Sequence, residues 1–336
     1  MIKLFEKIVE ENRFKINDMM KKLPVSIGLI CSDVHIMKKS IDSFLKSRSD
    51  VLEANDVLSL GNWEDMIRIN SVREIENMVS IHPLKKEKYI VINGAEQLTI
   101  ESLNALLKIV EEPPNFVGII FATKNWYSLL PTIRSRLLKI ELKVPDMQDV
   151  IDTLKIKEFS REEIWKILFL AKIDLSIIEM LEPGEVENLV IKEELIDENL
   201  LAQDAKVKVK RLMFFKNLFF ETILGRMTKE KLMRFYERFS KILLGRTGFR
   251  ILVELLKVFI VCLRDLLIVT EGINPNAVYN KDFLGDMLLS KVDFDIILKF
   301  LKELVGYLKL SYGVVDPKLL FLRILAQTYL IGKRGD

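Results

Sequence analysis

The chain has 336 residues, enough for two or three domains of ordinary size, and 49% of them are hydrophobic. Only 14 Gly and 9 Pro favour long helices over the frequent turns of a sandwich or barrel. A net charge of +3 excludes bulk electrostatic attraction to nucleic acid and leaves room for a local basic face.

The first residues, "MIKLFEKIVEENRFK", are amphipathic and mixed in charge, without the apolar core of a signal peptide. Cys31 and Cys262 are the only cysteines, and His35 and His82 the only histidines. A disulfide framework and a cysteine-rich zinc site are therefore excluded. The expectation is a reduced, cytoplasmic protein that binds no metal.

The first 145 residues alternate between strand and helix patterns. "VSIGLI" (Val25 to Ile30), "YIVIN" (Tyr89 to Asn93) and "FVGIIFAT" (Phe116 to Thr123) are short apolar runs with no polar alternation. Strands buried on both faces of a parallel sheet have this composition. Between the last two runs lies "TIESLNALLKIVEE", in which Leu103, Leu106, Leu107 and Val110 form one stripe of a helix. Thr99 is placed as its N-cap and Glu101 lies in the first turn. Pro113 and Pro114 end the helix. Strand, helix, strand in this order predicts a right-handed βαβ unit.

After "KVPDMQD" the strand patterns cease. Residues 146–196 read as short helices interrupted at "EPGE" (Glu182 to Glu185), and residues 197–336 as longer ones. The most apolar of these, "ILVELLKVFIVCLRDLLIV", carries Glu254, Lys257, Arg264 and Asp265. That is too many charges for a membrane span and suits a helix packed among helices. The basic run "KVKVKR" (Lys206 to Arg211) has no interleaved aromatic for base stacking and reads as a solvated helix face. The pairs Phe214-Phe215 and Phe219-Phe220 predict a helix buried around much of its circumference, in its own core or against other subunits.

One segment is distinctive. "EQLTIESLNALLKIVEEPP", then "IIFAT", then "LLPTIRSRLLKIEL" resembles the delta-prime and gamma/tau subunits of the bacterial DNA polymerase III clamp loader, in the AAA+ superfamily. Asn104 to Pro114 match the family's N-A-L-L-K-x-L-E-E-P-P helix, with Val110 in place of Leu. Ser135-Arg136 match the first two positions of its Ser-Arg-Cys motif, with Leu137 in place of Cys. Weaker likenesses cover Ile69 to Ile92 and Val315 to Ala326. The resemblance implies a fold of α/β plus all-α type: an AAA+ RecA-like parallel-sheet domain (1–145), a small helical lid (146–196) and a helical C-terminal collar for oligomerisation (197–336).

Against that pattern the nucleotide machinery is incomplete. A phosphate-binding loop reads GxxxxGK[ST], its backbone N–H groups cradling phosphates. Here "CSDVHIMKKS" places Ser32 and Met37 at the glycines, Lys38 at the lysine and Lys39 at the Mg²⁺-binding hydroxyl. Lys38 on its own is read as an exposed helix lysine. The acidic pair expected after the next family strand falls on Asn93 and Gly94, and Glu96 does not replace it. "EPGEVENLV" offers no lid arginine, and the four-cysteine zinc module of some delta-prime subunits cannot be built. The chain is expected to bind no cofactor and to hydrolyse nothing by itself.

What the resemblance leaves is Arg136, supported by Ser135, as an arginine finger acting in trans on the ATP site of an adjacent gamma/tau-type subunit. The competing role for Arg136 is an inter-subunit salt bridge or a solvated contact, and Arg134 has a lesser claim as a second phosphate or interface contact. Lys108 lies off the apolar stripe and is expected in solvent, Thr123 to cap its strand, and Trp126 to pack. The partners implied are gamma/tau and delta subunits, with the sliding clamp and primed DNA reached indirectly and no membrane. The alternatives are an AAA+-derived scaffold without clamp-loading role and an active gamma-type ATPase.

Overall fold

The computed structural model describes residues 3–63, 65–186, 202, 204–308, 310 and 313–334. It separates into two compact units, divided between Asp149 and Val150. The expected boundary at 196/197 lies outside the described residues.

In the first unit the elements run α1 (Lys3–Met19), β1 (Val25–Ile30), α2 (Val34–Ser47), β2 (Val57–Leu60), α3 (Ile69–Ser80), β3 (Lys88–Asn93), α4 (Ile100–Glu111), β4 (Val117–Thr123), α5 (Pro131–Arg134) and β5 (Leu138–Glu141). The strands form one sheet in the order β2-β3-β4-β1-β5, and every pairing is parallel. All seven residues of β4 are buried. That matches an apolar run with helices over both faces.

The three apolar runs seen in the sequence are β1, β3 and β4, the central strands. The two edge strands escaped notice for a physical reason. Each has four residues, and only Leu60 of β2 and Ile140 of β5 are buried. A half-covered edge needs no continuous apolar run.

The α4 helix forms as its stripe requires. The Ser102 amide donates to the Thr99 hydroxyl at 3.2 Å, capping the N-terminus. Leu103, Leu106 and Val110 are buried in the core under the sheet, with Leu107 packed against it. Each such buried side chain contributes about 1.5–3 kcal/mol. At the other end of the unit Asn12 satisfies three groups at once: its amide donates to Ser40 Oγ (3.3 Å) and the Lys143 carbonyl (2.9 Å). It also accepts from the Lys143 amide (2.8 Å).

Beyond β2 the chain folds back across the exit of β3. Ile67 bridges to Leu98 in parallel, and its amide donates to the Gln97 carbonyl at 2.9 Å. Two glycines permit this close approach. Gly61 has φ +81°, and a Cβ there would lie 2.3 Å from the Asn93 carbonyl oxygen; Gly94 has φ +73°, and a Cβ there would lie 2.9 Å from Trp63 Cα.

The division falls within α6 (Met147–Ile156), and the second unit is helical: α7 (Arg161–Ile173), α8 (Ser176–Met180), α9 (Ala205–Ile223), α10 (Lys229–Ile242), α11 (Gly245–Thr270), α12 (Leu284–Leu289), α13 (Phe294–Tyr307) and α14 (Pro317–Arg334). Phe214, Phe215, Phe219 and Phe220 are all buried in this unit, with Phe219 edge-on to Phe259 at 5.1 Å. Of the two settings the sequence left open for these rings, the first is realised.

The basic run on α9 is solvated at Lys206 and Lys210, as expected, and departs from that expectation at Arg211. Lys206 pairs with Glu185 and Lys208 with Asp174. Arg211 is buried, its Nε donating to Glu254 at 2.6 Å. Charges that ruled out a membrane span are satisfied inside: Asp265 is fully buried, receiving Asn280 Nδ2 at 2.7 Å and the Asn280 amide at 2.7 Å. No helix among the described residues is long and apolar enough to cross a membrane.

Lys216 is fully buried, its Nζ 2.7 Å from both carboxylate oxygens of Asp282 and 4.8 Å from the Phe169 ring centroid. Removing the carboxylate strands a cation. Asp282→Ala is expected to lose about 3 kcal/mol of stability, read from urea unfolding, with Lys216→Met/Asp282→Leu recovering most of it. Gly61→Ala meets both an unfavourable φ and the Asn93 carbonyl, so its unfolding midpoint should fall by the equivalent of about 2 kcal/mol or more.

Candidate functional site

In an open parallel sheet, ligands bind outside the carboxyl ends of the strands. The loops after the first four strands meet that description here: Cys31–Asp33 after β1, residues 61–68 after β2, Gly94 and the turn Ala95–Gln97 after β3, and Lys124 to Leu130 after β4. The side chains the sequence singles out lie on these loops, at the ends of β3 and β4, on α2 and α4, and on the turn that follows α5.

Only three residues connect β1 to α2. The last, Asp33, is the N-cap: its carboxylate accepts from the Ile36 amide at 2.8 Å, and its carbonyl from the Met37 amide at 3.1 Å. An anionic oxygen thus already occupies one of the N-terminal N–H groups that a phosphate would use. Met37 is fully buried in the first turns of the helix and Lys38 is exposed. Cys31 is buried, which pushes its thiol up to about 11, so it is no nucleophile at neutral pH.

At the end of β3, Asn93 Nδ2 donates to Ser59 Oγ at 2.8 Å. Gly94 lies directly beneath Trp63, which is buried although its own φ is +74°. A carboxylate at position 94 would collide with that backbone. Glu96 is half-buried on the following turn.

At the end of β4, Thr123 is buried and caps the strand: its hydroxyl donates to the Asn125 carbonyl (3.1 Å) and accepts from the Asn125 amide (3.1 Å). Trp126 packs, its ring lying where a Cβ on Gly28 would be, 2.3 Å away. Lys108 is exposed on α4.

The arginines follow. Pro131 opens α5, Ser135 is its C-cap, and the Arg136 amide donates to the Ile133 carbonyl at 3.0 Å. Ile133 and Leu137 are buried in the same core as α4, so the intervening residues face outward. Ser135 Oγ donates to the Thr132 carbonyl at 3.1 Å. Arg136 Nη1 donates to that carbonyl at 2.6 Å and to Ser135 Oγ at 3.3 Å. Its Nη2 is ion-paired with Glu111, the last residue of α4. Arg134 instead lies over the Tyr127 ring at 5.2 Å.

The structure therefore joins the two halves of the motif found in sequence, the end of α4 and the Ser-Arg turn, and keeps both apart from the end of β1. Three contributors were missed. Asp33 stands directly before the first turn of an amphipathic helix, a legible capping signal. Glu111 gave only a hint, as one of two carboxylates at the unfavourable end of a helix. Trp63 gave no signal.

Residues 27–146 match a protein-family model described as DNA polymerase III, delta subunit. DNA polymerase III subunit delta′ of Haemophilus influenzae is 36% identical over 163 residues, 47% of this chain and 46% of that protein. DNA polymerase III subunit gamma of Buchnera aphidicola subsp. Schizaphis graminum is 35% identical over 89 residues, 26% of this chain and 24% of that protein. The chain thus spans less than half the length of these relatives. A crystal structure of a DNA polymerase III gamma subunit-related protein from Thermotoga maritima has a like fold, with TM-score 0.61 at 20% identity over 96% of this chain and 99% of that one. With the motif helix, the Ser-Arg turn and the five-stranded parallel sheet in place, residues 27–146 are similar to the delta-prime and gamma subunits of DNA polymerase III, and the fold is like that of the gamma subunit-related protein.

Proposed function

We propose that this chain is a non-hydrolysing, delta-prime-like subunit of a sliding-clamp loader: a stator that presents Arg136 in trans to the ATP site of an adjacent gamma/tau-type subunit. The observation that carries the reading is the Asp33 carboxylate on the N-terminus of α2. A phosphate there would meet a like charge and a connection of three residues where a cradle is needed. The lack of a carboxylate at Asn93 and Gly94 supports the same conclusion, since neither Mg²⁺ nor an attacking water would be held.

Arg136 supports the second half of the proposal. Its guanidinium is a permanently charged, planar fork at the surface of the α/β unit, fixed at its base by Ser135 and the Thr132 carbonyl. Such a group placed beside transferring phosphoryl charge stabilises it electrostatically. In this reading residues 1–145 form the AAA+ domain, 146–196 the lid and 197–336 the oligomerisation collar. The complex, with delta, would act in the cytoplasm on the clamp at primed DNA.

Two measurements test this. Calorimetric titration of the isolated chain with MgATP should show no binding; micromolar binding would favour a gamma-type ATPase. In a complex reconstituted from the cognate gamma/tau-type subunit, delta and this chain, Arg136→Ala should assemble normally. It should slow single-turnover hydrolysis at the adjacent site by about 10³-fold, the low end for arginine fingers. Equal rates with wild type would reduce the arginine to an interface contact.

A further inference from the structure

The guanidinium of Arg136 is gripped by three groups of its own chain. Nη1 donates to the Thr132 carbonyl at 2.6 Å and Ser135 Oγ at 3.3 Å, and Nη2 is ion-paired with Glu111. An arginine grips a phosphate with two parallel N–H bonds, from the Nη1/Nη2 end or the Nε/Nη2 side. Both grips need Nη2, the nitrogen that Glu111 occupies.

Glu111 is also out of place as a helix residue. It is the last residue of α4 and is followed by Glu112 at the C-cap. Two carboxylates there add to the negative end of the helix dipole, where a cation belongs. Arg136 supplies that cation. The pair is partly solvated, with 36% of the arginine and 44% of the glutamate side chain exposed. An ion pair so exposed is weak and exchangeable.

We propose that Glu111 is a positioning residue that competes with the terminal phosphate of the neighbour's nucleoside triphosphate for Nη2 of Arg136. The inference rests on the trans-arginine reading given above. The more highly charged phosphate takes the guanidinium when a triphosphate is bound next door, and the carboxylate reclaims it when the site empties. Arg136 is thereby kept folded onto its own chain until there is an anion to serve. Glu111 sets how much phosphate is required, and Arg136 alone acts on the reacting group.

The test is the ATP dependence of hydrolysis by the reconstituted complex carrying Glu111→Gln, Glu111→Ala, Arg136→Ala or the double variant Glu111→Gln/Arg136→Ala. Both single Glu111 variants should lower the half-saturating ATP concentration by about 2–5-fold, the scale of an exposed ion pair, with kcat little changed. The double variant should show no gain over Arg136→Ala. A carboxylate with a purely structural role would give an unchanged or raised half-saturating concentration, or a fallen kcat, and any of these overturns the proposal. If Arg136→Ala itself leaves hydrolysis unchanged, the trans-arginine reading fails. If Arg136→Ala slows hydrolysis while Glu111→Gln does not shift the ATP dependence, only the competition fails.

Discussion

The α/β unit depends on the position of one strand. β4 lies between β1 and β3, bonded in parallel register to both, and is buried along its whole length. A parallel strand inserted between two earlier ones must be reached by a crossover, and α4 is that crossover. The arrangement fixes three things together: α4 lies on the sheet, the chain leaves β4 at the carboxyl edge, and α5 then turns back toward the end of α4. Arg136 meets Glu111 for this reason, although they are 25 positions apart in the sequence.

The carboxyl edge of the sheet is where open parallel sheets hold ligands, and here its loops make contacts of their own. Asp33 accepts from the Ile36 amide of α2, Trp63 lies on Gly94, and Asn93 is bonded to Ser59. These contacts are mutually consistent. A short β1–α2 connection leaves the helix N-terminus needing a local acceptor, and a glycine at 94 lets the β2 loop close over β3.

Much of this was legible in the sequence because the central strands and the crossover helix obey simple rules. β1, β3 and β4 are apolar because both faces are covered, and α4 shows its stripe, its Thr99 cap and its proline stop. The edge strands were not legible: a four-residue segment such as "LKIE", with one buried position, carries too little pattern. At the site, Ser135 and Arg136 were found through their motif, but their partner was not, because an ion pair between distant segments leaves no local mark. The α9 helix shows the reverse error. Its basic residues suggested solvent, and Lys206 and Lys210 are there, whereas Arg211 is buried against Glu254. Composition reports charge, and only the fold reports what meets it.

The contact between Trp126 and Gly28 has a consequence for how such sequences diverge. The indole occupies the space that any side chain on residue 28 would need, so the two positions act as one knob and one hole. A lineage that shrinks the aromatic frees the strand to accept alanine or valine, and one that enlarges the strand residue must first lose the ring. Changes at the two sites should therefore arrive in pairs. A large residue at both is excluded sterically, which gives sequence comparison a marker for the packing of this loop that is independent of the arginine motif.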